Sequence, residues 1–289
     1  MIGMAAALGS AASWALGSVL FKLLGDRLPP ISLTFAKGVA GVVMLGLVLG
    51  PTAFRTIEAW PLVLLALSGV LGIALGDTFF FIALRNLGAH AIVVLLTLGQ
   101  VLTVLLALVW LGERPSLVAW LGIGLVIAGV TVVMWIRFSN EEGASTLVGV
   151  AWGLAAIVCM SVSIIIAKEA LESTGSMQAT FVRMLAGTAG IFLFAVATRQ
   201  LGAHLRPLLE PRFAGFFLVS GAVVTFGGFW LSLLAIEKTD VAIANTLGST
   251  EPLFALPFAA FVLKETITVP TVLGCILAVI GIGLIISPW

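Results

Sequence analysis

The chain predicts an all-α integral membrane protein: ten transmembrane helices laid out as two inverted five-helix repeats. Three observations carry this reading. The 289 residues are 61% hydrophobic and 9% charged, whereas a soluble domain is roughly 45–50% apolar and about 25% charged. With a mean hydropathy of +1.24, lipid must solvate most of the surface. The apolar residues fall into ten runs, each near the roughly 20 residues that cross a hydrocarbon core, and the pattern of the first half returns in the second. None of the runs alternates like a barrel strand, so helices are the way to satisfy backbone groups in lipid.

In order, the spans are 3–24, 30–50, 61–83, 90–111, 117–136, 147–167, 177–197, 213–235, 241–263 and 269–287. The first carries Gly9, Ser13 and Gly17 at four-residue spacing, a ridge of small residues that lets another helix approach closely. The second opens after Pro29-Pro30, and the third holds Gly72, Gly76 and Asp77. The fourth carries Thr97, Gln100 and Thr103 and ends at a short turn with Glu113. RFSNEEGAST, from Arg137, is the midpoint linker. Trp60, Trp110, Trp135 and Trp289 stand near run ends, as an interfacial belt requires. Cys159 and Cys275 sit inside apolar runs and read as small packing residues. The first run has no basic leader and is too long for a cleavable signal.

After the linker the pattern restarts. Gly3 matches Gly149, Lys22 matches Lys168, Lys37 matches Arg183 and Gly41 matches Gly187, an offset of 146. After the loop at 199–212 the offset becomes 152: Ala107 matches Ala259, Glu113 matches Glu265, Gly122 matches Gly274 and Gly129 matches Gly281. Each half has an odd number of spans, so the two must cross the membrane in opposite senses, with a site expected where they meet near mid-membrane.

Ionisable groups inside spans are costly and default to function. Lys37, Asp77, Arg183 and Glu251 qualify. Lys37 and Arg183 each lie about 10 Å deep from their own face, and Glu251 about 15 Å. One reading pairs Lys37 with Asp77 and Arg183 with Glu251 as structural ion pairs. The other makes Lys37 and Arg183 anchors for an anionic substrate group, with a carboxylate as proton carrier. A polar cavity is expected between the halves, with Trp14, Gln100, Trp230, Asn245 and Ser249 in its wall. On a regular helix Glu251 lies about 120° from Asn245, which turns it toward a neighbouring helix instead. Pro252 cannot donate to the carbonyl of Gly248, so the ninth span should loosen between them. Glu113 and Glu265 are expected at helix starts, where negative charge is favoured.

Several classes find no support. A net charge of +1 offers nothing to nucleic acid. His90 and His204 lack ligand-spaced partners, so neither metal nor cofactor is expected. Phosphate-loop, zinc-protease and nucleophile-elbow patterns are absent.

Four motifs stand together: KGVAGVVML from Lys37 with RMLAGTAGI from Arg183, GDTFFFIALRNLGAHAIVV from Gly76, Glu251-Pro252, and the Lys264-Glu265 turn before a glycine-rich last span. Over nearly the whole chain they resemble the drug/metabolite transporter superfamily, specifically its EamA-type members. The resemblance implies repeats at 1–140 and 141–289. It implies a secondary transporter of a small metabolite such as an amino acid, an exporter or exchanger working by alternating access. Its partners would be the substrate, the bilayer and protons, in a monomer or homodimer of the cytoplasmic membrane. The sequence departs from the pattern at Gly99-Gln100, the fourth-span counterpart of Glu251-Pro252, so no carboxylate is expected there. The resemblance places both termini in the cytoplasm, whereas the basic residues are in excess on the opposite face, largely through the loop 199–212. An intramembrane enzyme acting on a lipid-linked substrate is the competing reading. It would need a convergent acid/base or metal constellation, and the sequence has none. A non-transporting scaffold would leave the matched charges unexplained.

Overall fold

The computed structural model describes residues 1–24, 30–54, 57–138, 147–199, 202, 211–251, 253–254, 257 and 268–286. Pro252, His204, Lys264, Glu265 and Trp289 lie outside them. The described residues form helices α1 (Ile2–Leu24), α2 (Pro30–Leu49), α3 (Ala59–Gly69), α4 (Asp77–Trp110), α5 (Leu117–Phe138), α6 (Leu147–Ala170), α7 (Ser176–Ala197), α8 (Pro211–Ala222), α9 (Leu231–Lys238), α10 (Val241–Gly248) and α11 (Val269–Ile286), with no strand among them. Among the described residues, five stretches are long and apolar enough to cross a membrane: Thr34–Ala53, Ala59–Phe80, Leu147–Ala170, Ser176–Ala197 and Leu218–Lys238. Ile2–Gly17, Leu98–Trp110, Leu117–Val132 and Val269–Ile285 are apolar but shorter. Leu47, Leu193 and Val109 are exposed on the outer surface. On a membrane helix that surface meets acyl chains, so exposure there carries no penalty.

The small-residue ridge of α1 behaves as its spacing predicts. A Cβ at Gly17 would come 2.6 Å from Val224, one at Gly9 would come 3.1 Å from Leu231, and Gly227 packs against Ser13. The first and eighth spans therefore run antiparallel in close contact. The third span packs on α6 in the same way: Ser68 Oγ donates to the Ser163 carbonyl at 2.6 Å, and Phe79 meets Trp152 with ring centres 5.0 Å apart. Helices α5 and α11 touch backbone to backbone. A Cβ at Gly122 would lie 2.7 Å from the Gly281 carbonyl, and Gly129 packs on the Gly274 carbonyl.

Two features differ from the sequence expectation, and a third meets it. No non-helical linker separates the third and fourth spans, because helical backbone runs from Asp77 to Trp110. The chain nevertheless reverses within it. Trp60 and Phe79 meet Glu169 and Trp152, whereas Gly99 packs on Ile157 and Thr103 bonds Ser161. No proline lies between Asp77 and Trp110 to force a break. Second, the third and eighth spans each widen into a π-helix, at Val70–Gly76 and Val223–Trp230. These are equivalent places under the 152 offset. Third, the helix of the ninth span breaks after Gly248 and is helical again at Glu251, Leu253, Phe254 and Pro257. Ser249 and Thr250 form a turn in which the Thr250 N–H donates to the Leu247 carbonyl, three residues back. This loosening lies between Gly248 and Pro252, where the missing proline donor predicts it.

Candidate functional site

A cavity of about 220 Å³ lies against the first, fourth, sixth, seventh, eighth and ninth spans. Its polar wall is Ser10, Gln100, Arg183, Ser232, Asn245, Ser249 and Glu251, with Trp14 and Ile164 among the apolar residues. Asn245 donates to the Gln100 side-chain carbonyl at 2.7 Å, a bond that ties α10 to α4 across the wall. Ser10 donates to the carbonyl of Gly228 at 2.9 Å, which ties α1 to the π segment.

Among the described residues, Arg183 is the one cation in this wall. Its Nη2 donates to Ser163 Oγ at 3.0 Å, and its buried Nε has no hydrogen-bond partner among the described residues. The backbone beneath it is held tightly: a Cβ at Gly69 would collide with the Arg183 main chain, and Gly187 packs on Ile73. A guanidinium fixed on one donor, with another still unsatisfied in a cavity, suits a planar anionic acceptor.

The structure brings together Trp14, Gln100, Arg183, Asn245 and Ser249, as the sequence grouped them, and adds Glu251 to the wall. Trp230 is not in the wall. It ends the wide π segment, and the i→i+5 bonding there shifts the register, so Ser232, Leu233 and Ile236 face the cavity. Lys37 is not in the wall either. Its Nζ stands 5.5 Å from the Trp14 ring centre and 5.1 Å from that of Phe229, and those rings meet edge to face at 4.9 Å. A cation between two aromatic faces is held by their quadrupoles. Lys37 and Asp77 are electrostatic neighbours, but their charged atoms lie beyond the 4.0 Å of a direct ion pair.

Two expectations for Glu251 are corrected. The helical wheel turned it away from Asn245, yet both line the cavity. The wheel assumes a constant angle per residue, and the turn at Ser249-Thr250 breaks that constancy. Arg183 and Glu251 share the cavity but form no direct ion pair, and the guanidinium Nη2 donates to Ser163 instead.

Glu113 has a longer reach than its turn suggested. Its carboxylate accepts from the N–H groups of Val241 and Ala242 at 2.6 and 2.9 Å, so it caps α10 rather than its own helix. Burial pushes its carboxyl above the usual range, against the pull of those two N–H groups and of Lys168. Lys168 donates to the carbonyls of Ile236 and Thr239 at 2.5 and 3.2 Å, closing the C-terminus of α9. Glu237 Oε2 accepts from the Ser176 N–H at 3.0 Å and caps α7. Sequence reasoning missed Ser163, which bonds Arg183 from a neighbouring helix, and these cross-caps, since nothing in their local pattern names a partner more than 60 residues away.

The comparisons with known proteins agree with this architecture. The model of the EamA-like transporter family matches residues 1–135 and again 147–287. An "Uncharacterized transporter" of Archaeoglobus fulgidus is 24% identical over the whole chain and 99% of its own length. The "Uncharacterized transporter YwfM" of Bacillus subtilis is 28% identical over 79% of this chain and 74% of its own. An "Uncharacterized transporter" of Clostridium kluyveri is 24% identical over 75% and 70%. One solved structure superposes with a TM-score of 0.72 at 21% identity, covering 99% of this chain and 95% of that one, a likeness of fold alone. With both halves matched by one family model and apolar helices throughout, this multi-pass membrane protein belongs to the EamA-like transporter family.

Proposed function

We propose that the chain is a secondary transporter of the cytoplasmic membrane that moves a small metabolite bearing an anionic group, such as an amino acid, by alternating access. The observation that carries this is Arg183: a buried guanidinium in a mid-span cavity with an unsatisfied Nε. Gln100, Asn245 and Ser249 supply uncharged hydrogen-bonding groups around it, and Glu251 is the carboxylate placed to carry a proton beside the substrate. Lys37 is a reserve cation outside the wall rather than a second anchor in this conformation. Export or exchange is the expected direction.

The repeats, 1–140 and 141–289, are proposed to be inverted. Helices α5 and α11 are equivalent under the 152 offset and pack antiparallel, with Gly122 at Gly281 and Gly129 at Gly274. Two further contacts recur in equivalent form: Gly76 on Met160 and Gly228 on Trp14, then Gly72 on Ser163 and Val224 on Gly17. Such recurrence is what a two-fold axis in the membrane plane produces.

The test is uptake of a ¹⁴C-labelled amino-acid mixture into proteoliposomes containing only this protein, with and without a pH gradient. Accumulation above empty vesicles, lost in Arg183→Ala, is the expected result. No accumulation in either condition, with label-free exchange also absent, would remove the transporter reading.

A further inference from the structure

We infer that Asp77 changes partner during the transport cycle: it neighbours Lys37 in the conformation seen here, and in the opposite-facing conformation it pairs with Arg183 and displaces the substrate's anionic group from it. This rests on the transporter reading and on the inverted repeats, and it assigns Asp77 a releasing role that neither requires.

The argument is one of equivalence. When inverted repeats exchange conformations, each contact peculiar to one half passes to its counterpart in the other. Lys37 corresponds to Arg183, Trp14 to Met160 and Phe229 to Asp77, by the offsets of 146 and 152. The contacts of Trp14 with Gly228 and of Met160 with Gly76 are already present in both halves, so they behave as a pivot. The contacts of the two cations are not shared. Lys37 lies 5.1 Å from the Phe229 ring, and its counterpart Arg183 bonds Ser163 beside Gly72 instead. Exchange therefore carries Arg183 to residue 77 as Lys37 now stands at residue 229. At residue 229 a cation finds an aromatic face. At residue 77 it finds a carboxylate.

The path is short. The Arg183 Nη2 would be 3.5 Å from a Cβ at Gly72, and Asp77 is about one turn further along the same wide helix. One-turn slides of one element past another are a known switching step. The chemistry is competition: a carboxylate supplied by the protein takes the guanidinium from a carboxylate or other anion supplied by the substrate. Lys37 leaves its aromatic box in the same movement, so Asp77 exchanges one cation for the other.

The experiment uses the full chain in proteoliposomes with Cys159→Ser and Cys275→Ser. One variant adds Lys37→Cys with Phe229→Cys, a second adds Asp77→Cys with Arg183→Cys, and a third carries all four. A short bis-methanethiosulfonate should cross-link both pairs, and molecules of the third variant should carry one bridge or the other but not both. A 37/229 bridge with no 77/183 bridge, or doubly bridged molecules, overturns the inference. A second measurement leaves Asp77 intact. Phenylglyoxal modification, read by mass at Arg183, should be faster once the 37/229 bridge locks the present conformation, and equal rates overturn the inference. Asp77→Asn should lower the turnover of the labelled amino-acid mixture about tenfold without raising its half-saturating concentration, and Asp77→Glu should restore it. If both bridges form but the wild-type vesicles move no label, the transporter reading fails while the change of partner stands.

Discussion

Arg183 and Lys37 occupy equivalent places in the two halves, yet their surroundings differ. Arg183 faces a cavity with one guanidinium edge on Ser163 and its Nε unsatisfied. Lys37 stands outside that cavity between the rings of Trp14 and Phe229. The backbones beneath them differ too. Arg183 is pressed against Gly69, whereas at Gly221, the counterpart of Gly69, a Cβ would come only 3.4 Å from Ala40. Two halves matched by one family model thus differ, among the described residues, in how their equivalent cations meet this cavity. The duplicated backbone supplies the scaffold, and the differences at a few positions supply the chemistry: Asn245 stands where the first half has Val93, and Glu251 where it has Gly99.

The largest break of this comparison is Arg183→Ala. It should reduce uptake of the labelled mixture by about ten- to a hundredfold, since a hydrogen bond to a charged group is worth about 1.5–3 kcal/mol. Lys37→Ala should cost transport less, and a greater loss there would reverse the assignment of the anchor. Because Arg183 and Glu251 form no direct ion pair, adding Glu251→Gln should not restore the yield of Arg183→Ala. Restoration, measured as monodisperse protein after extraction, would show that the two are partners after all.

The pivot sharpens the comparison next. A Cβ at Gly228 would meet the Trp14 ring at 2.9 Å, and one at Gly76 would meet Met160 Cγ at the same distance. The indole is rigid and the thioether chain flexible. Gly228→Ala should therefore cost about 1–3 kcal/mol, read as a fall in thermal stability in detergent, and Gly76→Ala clearly less. Equal losses would mean that the two contacts are mechanically alike.

Smaller still is Glu113→Gln, which weakens the cap of α10 by about 1 kcal/mol and should loosen the Asn245–Gln100 wall more than any feature of the first half. The smallest effect concerns pH. Burial raises the Glu113 carboxyl above its unfolded value, so the folded chain holds that proton more tightly. The fold therefore gains stability as pH falls through the raised value toward the ordinary glutamate range. Glu113→Gln should lose that increment, seen as a flatter melting temperature across the same pH window. A steeper dependence in the variant would contradict the sign.

Composition and periodicity alone determined that the chain is helical and lipid-solvated, because apolar runs of about 20 residues without alternation leave no other way to satisfy the backbone in lipid. The offsets of 146 and 152 likewise exposed the duplicated plan and matched Lys37 to Arg183. The wall residues Trp14, Gln100, Asn245 and Ser249 were legible for a related reason: polar or amphipathic groups in apolar spans are expensive anywhere but at an interior surface. Tertiary structure decided the rest. The π segments at Val70–Gly76 and Val223–Trp230 shifted the register and took Trp230 out of the wall. The turn at Ser249-Thr250 brought Glu251 into it. Glu113 found its donors on a helix 128 residues away. A helical wheel carries one angle per residue and no neighbours, whereas these outcomes depend on local winding and on which helix lies alongside.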